Sequence, residues 1–347
     1  MANRLCNDAN LFTIVMPIKD RPEFLRNSLG FLESQGFAGQ VVIADGSSKA
    51  MSCLNKKIVT SQKKIRIVYA YTAGLKNLWA EMQRGLKDIG SKYILLHSDD
   101  DFYFLDEIDY CLDFLEKNKD YVSARGRFVW IGEYQNLNKE IGQPRKFDQV
   151  GLSNMPMYSF TESVNEHRVV GMFNRYCHLF FSVMRSATFL KALGQVQKCL
   201  GKDLGSAWFD QFAFTIICGV RGKIHTSTAL YCIRQKHPAQ YSNRTAAAEP
   251  YRHWPKLLIS PDFSDDYQRF RQCLIDSCQE FVSVSEEQLK SIIDYGLVTL
   301  IKRGFGVRPP LERQDSELMF RLKDSSSIDH QRMRQVIPFL TPILPEE

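Results

Sequence analysis

The sequence has no apolar run long enough to cross a bilayer. Its longest, Phe12–Ile18 and Phe212–Val220, fall far short of the roughly 20 residues a spanning helix needs. The opening residues, MANRLCNDAN, lack a basic stretch followed by an apolar one. No secretory leader is therefore expected, and the expected location is cytoplasmic, at most peripheral at the inner face of the cell membrane. The nine cysteines (Cys6, Cys53, Cys111, Cys177, Cys199, Cys218, Cys232, Cys273 and Cys278) are odd in number and contain no C-x-x-C pair. That argues against a disulfide frame and a zinc ribbon, and for buried thiols in a reducing compartment. Charge of one sign is scarce too: 45 Lys and Arg against 39 Asp and Glu leave a formal excess of +6 over 347 residues. So small an excess suits an anionic small molecule or a lipid surface and does not argue for nucleic acid. No internal repeat or low-complexity tract is present, and 44% hydrophobic residues are those of an ordinary globular chain.

What is there, from residue 11 to about 118, alternates strand and helix. Leu11–Met16, Val41–Ala44, Ile65–Tyr69 and Tyr93–Leu96 are short apolar runs bounded by turn signals, which predicts buried strands. Leu25, Leu29 and Leu32 predict a helix after the first, with Asp20 and Glu23 at capping-box spacing around Pro22. Leu75, Leu78, Trp79, Met82, Leu86 and Ile89 predict a second, and Ile108, Leu112 and Leu115 a third. The order β-α-β-β-α-β-α implies a mostly parallel sheet covered on both faces, with ligands beyond the carboxyl ends of its strands. Further on, Tyr121–Ile131 and Lys223–Arg234 read as strands and Ser206–Gly219 as a helix, separated by a polar, loop-rich 132–165. After Pro250, Pro255 and Pro261 the character changes to two helices, 265–282 and 286–303, and a mixed tail. This divides the chain into 1–250 and a mainly helical 251–347.

Acidic residues gather where the strands end. Asp20 follows the first strand, Asp45 ends the second before Gly46, and Asp99-Asp100-Asp101 directly follow the fourth. Asp20 is equally placed to cap a helix and Asp45 to shape a turn. Three successive carboxylates are different, because like charges side by side cost free energy unless a cation neutralises them. Hard oxygen ligands for Mg²⁺ or Mn²⁺, with phosphate oxygens completing the shell, are one answer; a solvated acidic turn is the other.

Taken together, FTIVMPIKDRPEFLRNSL, VVIADGSS and YILLHSDDDFYF resemble the opening of a family 2-type glycosyltransferase of the bacterial surface-polysaccharide kind. The resemblance covers residues 11–120 well, 120–245 loosely, and the C-terminal hundred or so not at all. It implies the GT-A fold, a Rossmann-like, mostly parallel α/β sheet flanked by helices, here with a C-terminal helical extension. It also implies a nucleotide-diphosphate sugar as donor. Pro17, Ile18, Lys19 and Asp45 would receive the base, with Asp20 beside them, Asp45 accepting from a ring N–H and Asp99 lying near the ribose. Asp100, with Asp101, would hold Mn²⁺ or Mg²⁺ against the phosphates. Lys76 falls where a basic residue reaches the nucleotide, or is simply a solvated helix residue. The family usually has Asp where His97 stands and an aromatic where Lys19 stands.

For inverting transfer, a carboxylate must take the acceptor proton as the sugar leaves. The resemblance places it at Trp208-Phe209-Asp210-Gln211, with Asp210 as the base and Asp203 as substitute; the Glu that usually precedes it is missing. His237, on a loop after the last strand, would contact metal or diphosphate, and with Lys236 and Arg244 would stabilise the departing nucleotide. Arg175, Tyr176 and His178 sit in an aromatic stretch that suits either a sugar acceptor or the core. The stripe Ile292, Ile293, Leu297, Leu300 and Ile301 could dock on the rest of the chain, pair with a second copy, or lie on a membrane. The expected acceptor is a glycan or lipid-linked glycan, with no nucleic-acid partner. Two other classes compete. A sugar-nucleotide-forming nucleotidyltransferase would want a Gly-rich phosphate loop, which Pro17–Arg21 is not. A non-catalytic binding subunit would explain the missing Glu.

Overall fold

In the computed structural model the described residues are 4–75, 78–132, 149–152, 157–200, 207–237, 264–304 and 313–340. A nine-stranded mixed sheet forms the centre. Its strands are β1 (Phe12–Ile18), β2 (Gln40–Asp45), β3 (Arg66–Tyr71), β4 (Tyr93–Leu96), β5 (Asp101–Tyr103), β6 (Tyr121–Gly132), β7 (Gln149–Leu152), β8 (Val183–Arg185) and β9 (Lys223–Lys236). They run β3-β2-β1-β4-β8-β6-β9-β5, with β7 on β6. The half β3-β2-β1-β4 is parallel, as alternation of strand and helix requires. Beyond it β8 lies antiparallel to β4 and β6, β6 pairs parallel with β9, and β5 lies antiparallel to β9.

Eleven α-helices are described: α1 (Pro22–Ser34), α2 (Lys49–Ser61), α3 (Leu78–Gly85), α4 (Leu105–Lys117), α5 (Asn165–Asn174), α6 (Ser186–Leu200), α7 (Ala207–Val220), α8 (Ser264–Cys278), α9 (Glu286–Gly304), α10 (Arg313–Lys323) and α11 (Ile328–Val336). Pro22 opens α1, where its fixed φ and missing N–H cost nothing, and Leu25, Leu29 and Leu32 face the sheet. The capping box is a correction: Arg21 is the N-cap residue and makes no side-chain cap. Asp20 instead sits one residue outside at φ 53°, a left-handed conformation that Asp tolerates better than most side chains.

One apolar cluster lies under α3, α5, α6 and α7, joining Val15, Ile94 and Leu96 of the sheet to Trp79, Phe173 and Phe214. It includes Phe270, Cys273 and Leu274 of α8 and Leu289, Ile293 and Leu297 of α9. A second, on the other face, gathers Leu25, Leu29, Leu32, Ile108, Leu112 and Leu115. A third joins Phe31, Phe102 and Ile233 to Leu318, Leu322 and Val336 of α10 and α11. The stripe on α9 therefore docks on the body of the chain; the side chains of Leu300 and Ile301 lie outside the described residues. No helix among the described residues is long and apolar enough to cross a membrane.

Candidate active site

The rim formed by the carboxyl ends of β1, β2 and β4 carries the acidic residues. Asp45 is level with Ile18 and Tyr71 in the strand register. It is fully buried and its carboxylate is engaged internally. Oδ1 accepts from the Ser47 N–H at 2.8 Å, and Oδ2 accepts from Asn55 at 3.1 Å and from the Tyr69 hydroxyl. Asp20 ties the first rim loop to the second: its N–H donates to Ser47 Oγ at 2.8 Å, and its Oδ1 accepts from the N–H and hydroxyl of Ser48 at 2.8 and 2.9 Å. Asp20 thus fixes the loops rather than capping α1. Pro17 lies within β1, opposite Ala44, and Lys19 is exposed just beyond it.

Asp99, Asp100 and Asp101 are all buried, and each has a cation of the protein's own. Arg21, held over the Phe24 ring at 5.2 Å, reaches Asp99 Oδ1 with Nη2 and Asp100 Oδ2 with Nη1 at 3.3 Å. Arg234 donates to Asp101 Oδ1 at 3.0 Å, a cross-strand pair fixed by the β5–β9 register. His237 Nε2 lies 2.9 Å from Asp100 Oδ2, its ring stacked 4.5 Å from Phe24. Its position follows from the end of β9, where the Gln235 N–H donates to the Asp100 carbonyl at 3.0 Å. Burial acts to raise the Asp100 carboxyl, but hydrogen bonds from His237 and Ser98 and the charge of Arg21 hold it well below the usual range. Burial pushes Asp99 and Asp101 up, against Arg21 and Arg234 respectively and with help from the Asp100 charge. His97 is buried against Tyr103, and burial pushes its imidazole down to about 4, so it is neutral at pH 7.

Asp210 stands in the first turn of α7. The Trp79 indole N–H donates to its Oδ2 at 2.7 Å, while Oδ1 is buried with no hydrogen-bond partner among the described residues. Trp79 belongs to the first turn of α3, the helix that follows the carboxyl end of β3, so this pair lies toward the acidic rim's end of the sheet. Burial pushes the Asp210 carboxyl up to about 7, against the pull of the Trp79 hydrogen bond. A carboxyl with that affinity and one uncommitted oxygen is suited to take a proton near neutral pH.

No sequence-family model matches the chain, and no curated protein matches it. Among solved structures, residues 1–349 of S. aureus TarS in complex with UDP-GlcNAc align with a TM-score of 0.50 at 15% identity. The alignment covers 95% of this chain and 79% of that one. The same TarS fragment with UDP gives a TM-score of 0.49 at 13% identity, over 95% and 81%. The mannosyltransferase PcManGT from Pyrobaculum calidifontis, in complex with GDP-Man and Mn²⁺, gives 0.44 at 9%, over 95% and 84%. The fold is that of a GT-A glycosyltransferase.

Within this GT-A frame the structure brings Asp99, Asp100, Asp101 and His237 together, as the sequence suggests. Lys236 is directed elsewhere, over the Trp130 ring at 5.0 Å. Lys76, Asp203 and Arg244 lie outside the described residues. The aromatic stretch goes into the core, with Cys177, Leu179 and Phe180 buried, while Arg175 pairs with Glu162 at 3.2 Å. Arg21 and Arg234 were not singled out in the sequence, although Arg21 stands one residue from Asp20. Their signal was the charge balance: three buried carboxylates require cations, and these supply them. In the described arrangement each carboxylate of the run is engaged by a donor of the protein's own. Both Asp100 oxygens are engaged, by Ser98 on Oδ1 and by His237 and Arg21 on Oδ2, and Arg21 spans Asp99 and Asp100. Asp101 faces Arg234, and among the described residues no group of three or more His, Cys, Asp or Glu is placed to hold a metal. In this arrangement arginines hold the carboxylates that, with His237, are expected to ligate Mn²⁺ or Mg²⁺.

Proposed function

We propose that the chain is a glycosyltransferase that moves a sugar from a nucleoside-diphosphate donor to a hydroxyl of a glycan or lipid-linked glycan, with inversion. The GT-A fold supports the donor class, and the three motif blocks support the acceptor class. The observation that carries the reading is Asp210: a carboxyl pushed up to about 7, one oxygen held by Trp79 and the other uncommitted. In this reading the acceptor oxygen bonds to the anomeric carbon as the bond from that carbon to the phosphate oxygen breaks. The acceptor proton passes to Asp210, and the nucleoside diphosphate leaves with the electron pair. Arg21 and His237 lie where the leaving charge develops, and fixed cations or donors there lower the barrier.

Replacing the base by its amide tests the assignment. Asp210→Asn should keep nucleotide binding within about threefold and lose transfer by about 10²-fold or more, read by calorimetry and by release of nucleoside diphosphate. Transfer at the wild-type rate would move the base elsewhere. Wild-type protein that binds nucleotide but turns over no donor would favour the non-catalytic binding subunit instead.

A further inference from the structure

Glu81 occupies the same rim. It lies in the first turn of α3 and is only 7% exposed, but its carboxylate accepts no hydrogen bond from any described residue. It rests against Gly46, at the carboxyl end of β2: a Cβ added there would come within 2.5 Å of Oε1 and 2.7 Å of Oε2. Glycine at 46 is what leaves room for this carboxylate. Burial raises its proton affinity; the Lys19 charge draws it back and the Asp45 charge pushes it further up. A carboxylate in a largely buried place that accepts from no described residue invites a donor from outside the chain.

Asp45, the carboxylate expected to read the base, already accepts from Ser47, Asn55 and Tyr69. We propose that Glu81, not Asp45, is the residue that recognises the nucleobase, and that the base it selects is guanine; the inference rests on this rim being a nucleoside-diphosphate site. The chemistry decides among the bases. An ionised carboxylate is an acceptor only, with two oxygens side by side. Guanine presents two adjacent donors, the ring N1–H and the exocyclic amino group. Uracil presents a single N–H between two carbonyl oxygens, so a carbonyl oxygen would face the second oxygen of the same carboxylate. Adenine and cytosine each present an amino group beside a ring nitrogen whose lone pair would face the same charge. The Asp45 charge, which acts on Glu81, sharpens the discrimination, since it adds negative potential without offering a free oxygen.

Calorimetric titration of the full chain with GDP, UDP, ADP and CDP tests this. The expected result is GDP binding at least about tenfold tighter than each of the others. Glu81→Gln should weaken GDP about tenfold or more and leave UDP within about threefold, because the amide N–H₂ opposes guanine's donors. UDP, ADP or CDP binding as tightly as GDP, or equal weakening of all four by Glu81→Gln, overturns the assignment. If none of the four binds the wild type, the nucleotide-site reading itself fails and the base assignment with it. A second readout needs no ligand. The melting temperature of Glu81→Gln should equal or exceed the wild type's, since a charge held in a largely buried place is removed. A clear fall would make Glu81 a structural brace instead.

Discussion

Single residues at the rim are governed by how each carboxylate is neutralised. Asp210 has only a neutral indole donor, so burial wins and its carboxyl stands at about 7 against an ordinary 3.8. As a base it must be ionised, so the turnover rate should rise with pH through a limb near 7. Trp79→Phe removes the hydrogen bond that favours the ionised form, and should move that limb to higher pH in a pH–rate profile. An unmoved limb would mean that another group titrates. The same shift acts on stability with a fixed sign. A proton affinity raised by folding contributes stability that is full below about pH 4 and is lost as pH rises through about 7, at about 1.4 kcal/mol per unit. The melting advantage of Asp210→Asn over wild type should therefore grow between pH 5 and 8. Arg21 represents the opposite case. With its guanidinium across Asp99 and Asp100, removing EDTA-accessible metal should leave the wild-type melting temperature unmoved, and about 1 mM Mn²⁺ should not raise it. Arg21→Gln strips the cation from two buried carboxylates and should melt lower, with Mn²⁺ restoring part of the loss. A wild type stabilised by Mn²⁺ would show that the ion binds with Arg21 present.

At the scale of elements, legibility depended on which face a segment buries. The strands β1, β2 and β4 and the helices α1, α4 and α9 bury apolar side chains at regular spacing, and their positions could be read from it. Helix α2 was missed because its inward face is Ser52, Asn55 and Ile58, two of them polar. Asn55 is there to donate to Asp45, and Ser52 lies 3.0 Å from the Tyr69 hydroxyl, so the helix serves a buried carboxylate rather than an apolar core. Helix α5 was obscured in a similar way: Glu166 and Arg168 are buried beside Val169 and Met172, with Arg168 donating to the carbonyls of Gly219 and Val220 at 3.1 Å. Strand β5 was hidden inside the acidic run itself. Asp101 is both the last of the three carboxylates and the first residue of a strand, and only the pairing with Arg234 of β9 shows the second role. The site was legible where chemistry and sequence adjacency coincide, at Asp99 to Asp101. It was not legible where the partner comes from far along the chain, as with Arg234, Trp79 with Asp210, or Glu81 over Gly46.

For the whole molecule the question is whether the segment after residue 250 stands apart. Its helices bury Leu289, Ile293 and Leu297 against the cluster under α5 and α7, and Leu318, Leu322 and Val336 against the cluster around Phe31 and Ile233. Arg332 is the polar fastening on the second side. It donates to the Leu230 carbonyl of β9 at 3.2 Å and to Glu107 of α4 at 3.0 Å, reaches Asp106, and lies 5.3 Å over the Phe104 ring. Arg332→Met would leave Glu107 without its cation in a largely buried place, and breaking such a pair typically costs about 3–5 kcal/mol. Trp79, Trp130 and Trp208, three of the four tryptophans, lie in α3, β6 and α7, so most of the tryptophan fluorescence reports on the sheet-bearing part. In urea, Arg332→Met should lower the midpoint seen by tryptophan fluorescence and by far-ultraviolet circular dichroism together, because the C-terminal helices complete the same cores. A fluorescence midpoint that stays at the wild-type value while the dichroism splits into two transitions would make α10 and α11 a separately melting unit.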